Sequence, residues 1–311
     1  MEDLKKVHID FRDQISRNKA KSFFLIISVF VVMVALGYAI SQAFNPGYFF
    51  GIMILSIIIS LSYILISYYN SDKIALASVG AKPADKYKHK EFFDLVESLT
   101  IASGLPMPKL YVMESSQINA FASGRNPENA VICVTAGALE KLEKKELEGV
   151  LAHEMSHIAN YDIRFITLVT VMVGIISIAS EIFLRSLWFG AGNRSGGNNN
   201  NSGAIFLILG IVLAILAPIV VYLIQLSISR KREYAADASA VKFTRYPRGL
   251  INALKKIGDE NKETEKANSM QGKRERRVPK AVAPLFFSSP FRNLSSTHPP
   301  LQKRIEVLER M

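Results

Sequence analysis

The sequence predicts an α-helical membrane protein with a small α+β unit outside the lipid, built from four transmembrane helices and a small antiparallel sheet. Three observations lead there. Apolar residues make up 49% of the 311 residues, and mean hydropathy is +0.19, both high for a soluble chain. The excess is concentrated in four blocks: Phe23–Phe44, Tyr48–Tyr69, about Ile163–Phe189 and about Ala204–Ile228. Basic residues gather beside those blocks, as the positive-inside rule expects of a membrane chain.

Each block is near or above the roughly 20 residues that cross about 30 Å of hydrocarbon at 1.5 Å per residue. The first two are separated only by Asn45-Pro46-Gly47, which makes them a hairpin. A signal peptide does not fit the first, because its apolar run is too long and no small-residue cleavage site follows. A buried core helix is the competing reading, and it stays more open for the third and fourth blocks than for the first two.

The net charge of +11 has a membrane distribution. Lys5, Lys6, Arg12, Arg17, Lys19 and Lys21 precede the first span, Lys73 to Lys90 follow the second, and Arg230-Lys231-Arg232 follow the fourth. The turn at 45–47 carries no charge and the 190–203 loop carries only Arg194. Both termini and the 71–162 segment are therefore expected on the cytoplasmic side of a cell (inner) membrane. No aromatic-rich basic module is visible, so nucleic acid is not an expected partner. Cys133 is the single cysteine and cannot form an internal disulfide; its apolar neighbours fit a core position.

Four segments follow: a charged lead and membrane hairpin over 1–70, a soluble segment over 71–162, a second hairpin over 163–228 and a soluble segment over 229–311. Within them, Lys90–Ser103 has apolar residues at helical spacing and ends at Gly104. Strands are expected at Lys109–Met113, Ile118–Ser123 and Ala130–Val134, the last two as a hairpin around the 124–129 turn. Helices are expected over Lys144–Asn160, from the basic run at 230 through Ala240, and over Leu301–Arg310. The charged stretch 259–280 reads as a solvated, mobile linker, and the Gly/Asn/Ser-rich 190–203 loop as flexible.

The chemistry centres on His153-Glu154-Met155-Ser156-His157. On a helix, positions i and i+4 share a face, so both imidazoles can reach one metal ion. A catalytic zinc takes three protein ligands and leaves a position for water, whose pKa it lowers to about 7. Glu154, beside the first ligand, is then the general base. Read alone, the string also fits two solvated histidines on a helical face. Leu147, Val150, Leu151 and Ile158 argue against that by making the helix amphipathic. Glu233 is the candidate third ligand, and Asp237, one turn on, can accept a hydrogen bond from a ligand histidine. Taken without the first motif, Glu233 would be a surface carboxylate paired with Arg230 or Lys231.

Together these residues resemble a known family. His153–His157 followed by Asp162, then Arg232-Glu233-Tyr234-Ala235-Ala236-Asp237, is similar to the HtpX-type membrane zinc metalloproteases, relatives of the CAAX prenyl-protein proteases. Ile118-Asn119-Ala120-Phe121-Ala122 and Ser296-Thr297-His298-Pro299-Pro300-Leu301 with Arg304 extend the resemblance over nearly the whole chain. It implies a gluzincin-like fold, one Zn2+ per chain, and quality control of membrane and unfolded proteins under stress, alongside other membrane proteases. It also implies roles for three more residues: Asn119 in binding the substrate backbone, His298 as a donor to the oxyanion, and Arg304 in supporting the site.

Two other classes compete. A zinc-stabilised scaffold without catalysis would use the same ligands, but a structural site is normally closed by four ligands and has no use for Glu154. A metal transporter would carry its ligands inside the spans, whereas these lie just outside them.

Overall fold

The computed structural model describes residues 11–42, 46–172, 230–271, 285–287 and 299–311. The expected 190–203 loop, the fourth block and most of the third lie outside the described residues.

The first two blocks form helices α1 (Phe11–Gln42) and α2 (Phe49–Tyr69). Both contain a stretch long and apolar enough to span a membrane, Ile15–Ala35 and Phe49–Tyr69. Their burial decides between a soluble core and lipid. Only 11% of the α2 window and 22% of the α1 window is buried, and Phe50, Ile54, Leu55, Ile58, Leu65 and Ile66 are all exposed. A core helix would cover such side chains, so this apolar surface requires a nonaqueous surrounding. The chain is a membrane protein with at least two candidate spans.

α2 runs into a short helix α3 (Ser71–Val79), which has no counterpart among the sequence expectations. It stops at Gly80, whose φ of 66° is the left-handed geometry that closes a helix. Helix α4 (Lys90–Ser103) occupies the expected residues. Its buried stripe is Phe92, Leu95, Val96 and Leu99, and Gly104 ends it at φ 70°.

The sheet is mixed, which corrects the antiparallel expectation. It contains β1 (Lys82–Pro83), β2 (Lys109–Met113), β3 (Ala120–Gly124) and β4 (Ala130–Thr135), in the order β1-β2-β4-β3. β3 and β4 form the expected antiparallel hairpin, with Gly124 opposite Ala130. Asn126 holds its turn by accepting a hydrogen bond from the Asn129 N–H at 3.1 Å. β4 then lies between β3 and β2 and runs parallel to β2, Lys109 opposite Val131. Local alternation identifies strands and hairpins, but not which strand takes the middle place. The unexpected β1 is a two-residue exposed edge strand, too short to show a period. β3 is the other edge.

Helix α5 (Ala136–Lys141) follows β4, and then α6 (Lys144–Ala159) carries the histidine motif. Glu143 and Glu146 form a reciprocal capping box at its start. α6 is buried on almost every face, against α4, β3, α8 (Arg230–Thr244) and α9 (Pro247–Gln271). After a turn at 160–161, residues 162–172 form α7, the visible start of the third block.

The charged 259–271 stretch is helical, a second correction: it is the outer half of α9. The apolar anchors Leu250, Ile251, Leu254 and Ile257 all lie earlier in α9, so the later residues carry no periodic signal. Glu260 still ties this half to the fold, accepting hydrogen bonds from the Ile118 N–H at 2.7 Å and from Lys141 at 2.5 Å. Residues 272–280 lie outside the described residues. The last helix, α10, is Leu301–Leu308.

α6 and α9 cross with backbones in contact. A Cβ placed at Gly149 would stand 2.6 Å from the Leu250 backbone nitrogen, and one at Gly249 2.3 Å from the Lys145 carbonyl. A methyl group there cannot be relieved by a side-chain rotation. Gly149→Ala is expected to destabilise by about 1–3 kcal/mol, the usual cost of overpacking a core. Thermal unfolding of the purified protein in detergent checks this; an unchanged Tm would mean the helices can separate without cost.

Candidate metal centre and its family

His153 and His157 face the same side of α6, one turn apart, and Glu233 reaches them from the first turn of α8. The Nε2 atoms of the two histidines are 3.2 Å apart. Glu233 Oε2 lies 3.6 Å from His153 Nε2, and its Oε1 lies 3.8 Å from His157 Nε2. All three side chains are buried. Zinc bonds of about 2.0–2.2 Å at tetrahedral angles place ligand atoms about 3.3–3.6 Å apart, so these spacings suit one zinc ion.

The outer atoms of the ligands fix their tautomers. His153 Nδ1 is 2.9 Å from Asp237 Oδ1, and His157 Nδ1 is 3.0 Å from Asp162 Oδ2. A carboxylate only accepts, so each Nδ1 carries the hydrogen and each Nε2 turns its lone pair inward. Two lone pairs facing at 3.2 Å repel unless positive charge sits between them. The titration of His157 expresses the same pull. Burial lowers its pKa, but the Asp162 hydrogen bond and the charges of Glu233, Asp162 and Glu154 outweigh burial and raise it to about 9.

Asp237 is in turn clamped by Arg304 from α10, with Nε donating to Oδ2 at 2.9 Å and Nη2 to Oδ1 at 2.6 Å. Both residues are fully buried. Burial alone would raise the Asp237 pKa, yet Arg304 and His153 hold the carboxyl below its usual range. Arg304 also lies 3.8 Å from Glu233 Oε2 and 4.7 Å from the Phe287 ring centre, so α10 supports two corners of the site.

Glu154 is buried beside the histidines and accepts a hydrogen bond from the Ala122 N–H of β3 at 2.7 Å. Burial raises its pKa above the ordinary carboxylate value, against the pull of both histidines and the Ala122 N–H. The edge strand therefore fixes this carboxylate next to the three ligands. A small cavity joins His153, Glu154, His157 and Glu233 to Ala122 and to Leu285-Phe286-Phe287. This last segment covers the site: the Phe287 N–H donates to the Ala120 carbonyl at 2.8 Å, and the Phe287 ring stands edge-on to His153 at 4.8 Å.

Asn119 sits just before β3 and is buried. Its Oδ1 accepts from the Ala120 N–H at 3.0 Å, while its backbone pairs with Thr135. His298 lies outside the described residues. Sequence reasoning assigned no role to Asp162 or to Leu285-Phe286-Phe287. Asp162 was within its reach, being a carboxylate five residues past His157. The other left only a short apolar island in a polar stretch.

The profile of peptidase family M48 matches residues 86–311, which contain every residue of the centre. The chain belongs to peptidase family M48. It is 44% identical over 298 residues to a protease HtpX homolog of Caldanaerobacter subterraneus subsp. tengcongensis, covering 94% of this chain and 95% of that one. A protease HtpX homolog of Listeria monocytogenes serotype 4a is 40% identical over 315 residues, covering 96% of this chain and 99% of that one. Among solved structures, S. mikatae Ste24p matches with a TM-score of 0.46 and 21% identity, covering 95% of this chain and 66% of that one. The protein is an HtpX-family M48 zinc metalloendopeptidase, with its metal site at His153, His157 and Glu233.

Proposed function

We propose that this M48 protease cleaves membrane and unfolded proteins at the lipid boundary, holding one zinc per chain, with Glu154 as general base. The observation that carries the catalytic part is the placement of Glu154: buried, beside the three ligands, and fixed by the β3 edge strand. A zinc ion at the three ligands supplies a Lewis acid and lowers the pKa of a water to about 7. Glu154 takes the proton of the attacking water on its carboxylate and passes it to the leaving amine. Asp237, held by Arg304, keeps His153 in its metal-binding tautomer. Asn119 is assigned to the substrate backbone and His298 to the oxyanion, on the strength of the family motif.

The membrane part rests on distance along the chain. α7 begins five residues after His157 and leads into the third apolar block, so the metal helix is tied closely to the lipid. A chain emerging from the bilayer then meets the site at high effective concentration. The test offers one cleavable sequence either just outside a transmembrane segment or on a soluble carrier, with the enzyme in proteoliposomes. Faster cleavage of the membrane-borne substrate is expected; equal rates would remove the case for selection at the membrane.

A cytoplasmic site and cytoplasmic termini are supported by the basic flanks of the spans. Tyr87 and Met311 are well exposed, which suits them to cysteine labelling in a Cys133→Ser background. Tyr87→Cys and Met311→Cys are both expected to be protected from an impermeant external reagent in intact cells. Labelling of either from outside refutes this orientation.

A further inference from the structure

α1 does more than cross the lipid. Its buried stripe is Asn18, Ser22, Leu25 and Val29, at helical spacing. The apolar part packs on Phe165, Leu168, Val169 and Met172 of α7. The polar end reaches the turn that closes the metal helix. The Asn18 amide Nδ2 lies 2.7 Å from Asp162 Oδ1 and 3.0 Å from the Asn160 carbonyl. Beside it, the Lys19 ammonium stands 4.6 Å over the Tyr161 ring. Tyr161 itself holds a φ of 57°, costly for a residue with a Cβ, so this turn needs outside support.

We propose that Asn18 is a positioning residue for the zinc ligand His157, acting through Asp162 and so coupling the first membrane helix to the metal site. The inference rests on the zinc site described above. The two oxygens of Asp162 have separate partners. Oδ2 faces His157 Nδ1 at 3.0 Å, and Oδ1 receives Asn18 at 2.7 Å. One hydrogen bond would leave the carboxylate plane free to turn about its last bond. The second, from a different element, fixes that plane and with it the imidazole. An amide has two hydrogens, which match the two acceptors, the Asp162 oxygen and the Asn160 carbonyl at the end of α6. Arg232 Nη1, 3.9 Å from Asp162 Oδ1, adds positive charge on the same side but sits too far to replace a hydrogen bond. Asn18 is buried, so water does not substitute for it freely. Groups that orient a metal ligand typically change metal affinity by about 10- to 100-fold, and one step further out the low end of that range applies.

The test uses the full-length protein in detergent. Asn18→Leu keeps the size and removes the donor; Asn18→Asp keeps the shape and faces Asp162 with an acceptor. Asn18→Gln retains an amide donor. Ser22→Ala perturbs the same buried stripe without touching Asp162. Zinc Kd is measured by competition with a chelator of known affinity, next to the Tm of the zinc-free protein and the kcat and KM for a peptide. We expect Asn18→Leu and Asn18→Asp to raise the zinc Kd about 10-fold, and to lower kcat with KM little changed. Asn18→Gln should bind zinc more tightly than either, and Ser22→Ala should bind it as wild type does. A docking role alone would lower Tm in the Leu and Ala variants alike and leave Kd unchanged, which overturns the proposal. If Asn18→Leu does not fold, Asn18→Ser carries the same comparison, being polar but too short to reach Asp162. Wild-type protein that fails to bind zinc would overturn the metal-site reading instead.

Discussion

Glu154→Gln is expected to keep its zinc and to lose about 10²–10⁴-fold in kcat/KM, the usual contribution of a positioned general base. The amide is nearly isosteric with the carboxylate, and Glu154 is not among the three ligands. Its hydrogen bond from the Ala122 N–H at 2.7 Å can be kept by the amide oxygen of glutamine. The β3 edge and the metal helix therefore stay in place while the proton acceptor is lost. Metal analysis of the purified variant, paired with cleavage of an unfolded membrane protein, separates the two effects. Normal turnover with zinc retained would remove Glu154 from the reaction and assign the base to another group.

Glu233→Ala is expected to weaken zinc binding by more than the roughly 10- to 100-fold typical of changes around a ligand, because it removes a ligand itself. Two imidazole nitrogens alone make a poor zinc site. Asp237→Ala should cost less in zinc affinity and more in folding. It leaves Arg304 fully buried without the carboxylate that binds two of its nitrogens, and breaking such a pair costs about 3–5 kcal/mol. Chelator competition gives the first quantity and thermal melts of the zinc-free protein the second. Wild-type zinc affinity in Glu233→Ala would mean that another residue completes the site.

The sequence by itself determined whatever depends on a short period. The i, i+4 spacing puts His153 and His157 on one helical face in any fold that keeps α6 helical. The stripe of α4 and the β3–β4 hairpin were legible for the same reason, since neighbours in sequence set both. Apolar block length named the first two candidate spans, and the low burial of α2 fits lipid rather than a soluble core. Glu233 and Asp237 were legible as a pair, being one turn apart, and the need of the two histidines for a third ligand pointed the pair at α6, where the structure brings them.

Tertiary structure decided the partners and the order of elements. β4 lies between β3 and β2, antiparallel to the first and parallel to the second, so the sheet is mixed, a choice made by packing across the whole unit rather than by any strand's own residues. The outer half of α9 carries no apolar period, and its helix continues from an anchored first half. Asp162 is near His157 in sequence, yet which of its oxygens meets His157 and which meets Asn18 depends on α1 docking against α7. Arg304 reaches Asp237 from 67 residues away. Helical and strand periods are local properties of the chain, whereas hydrogen bonds between distant elements exist only once burial has brought those elements together.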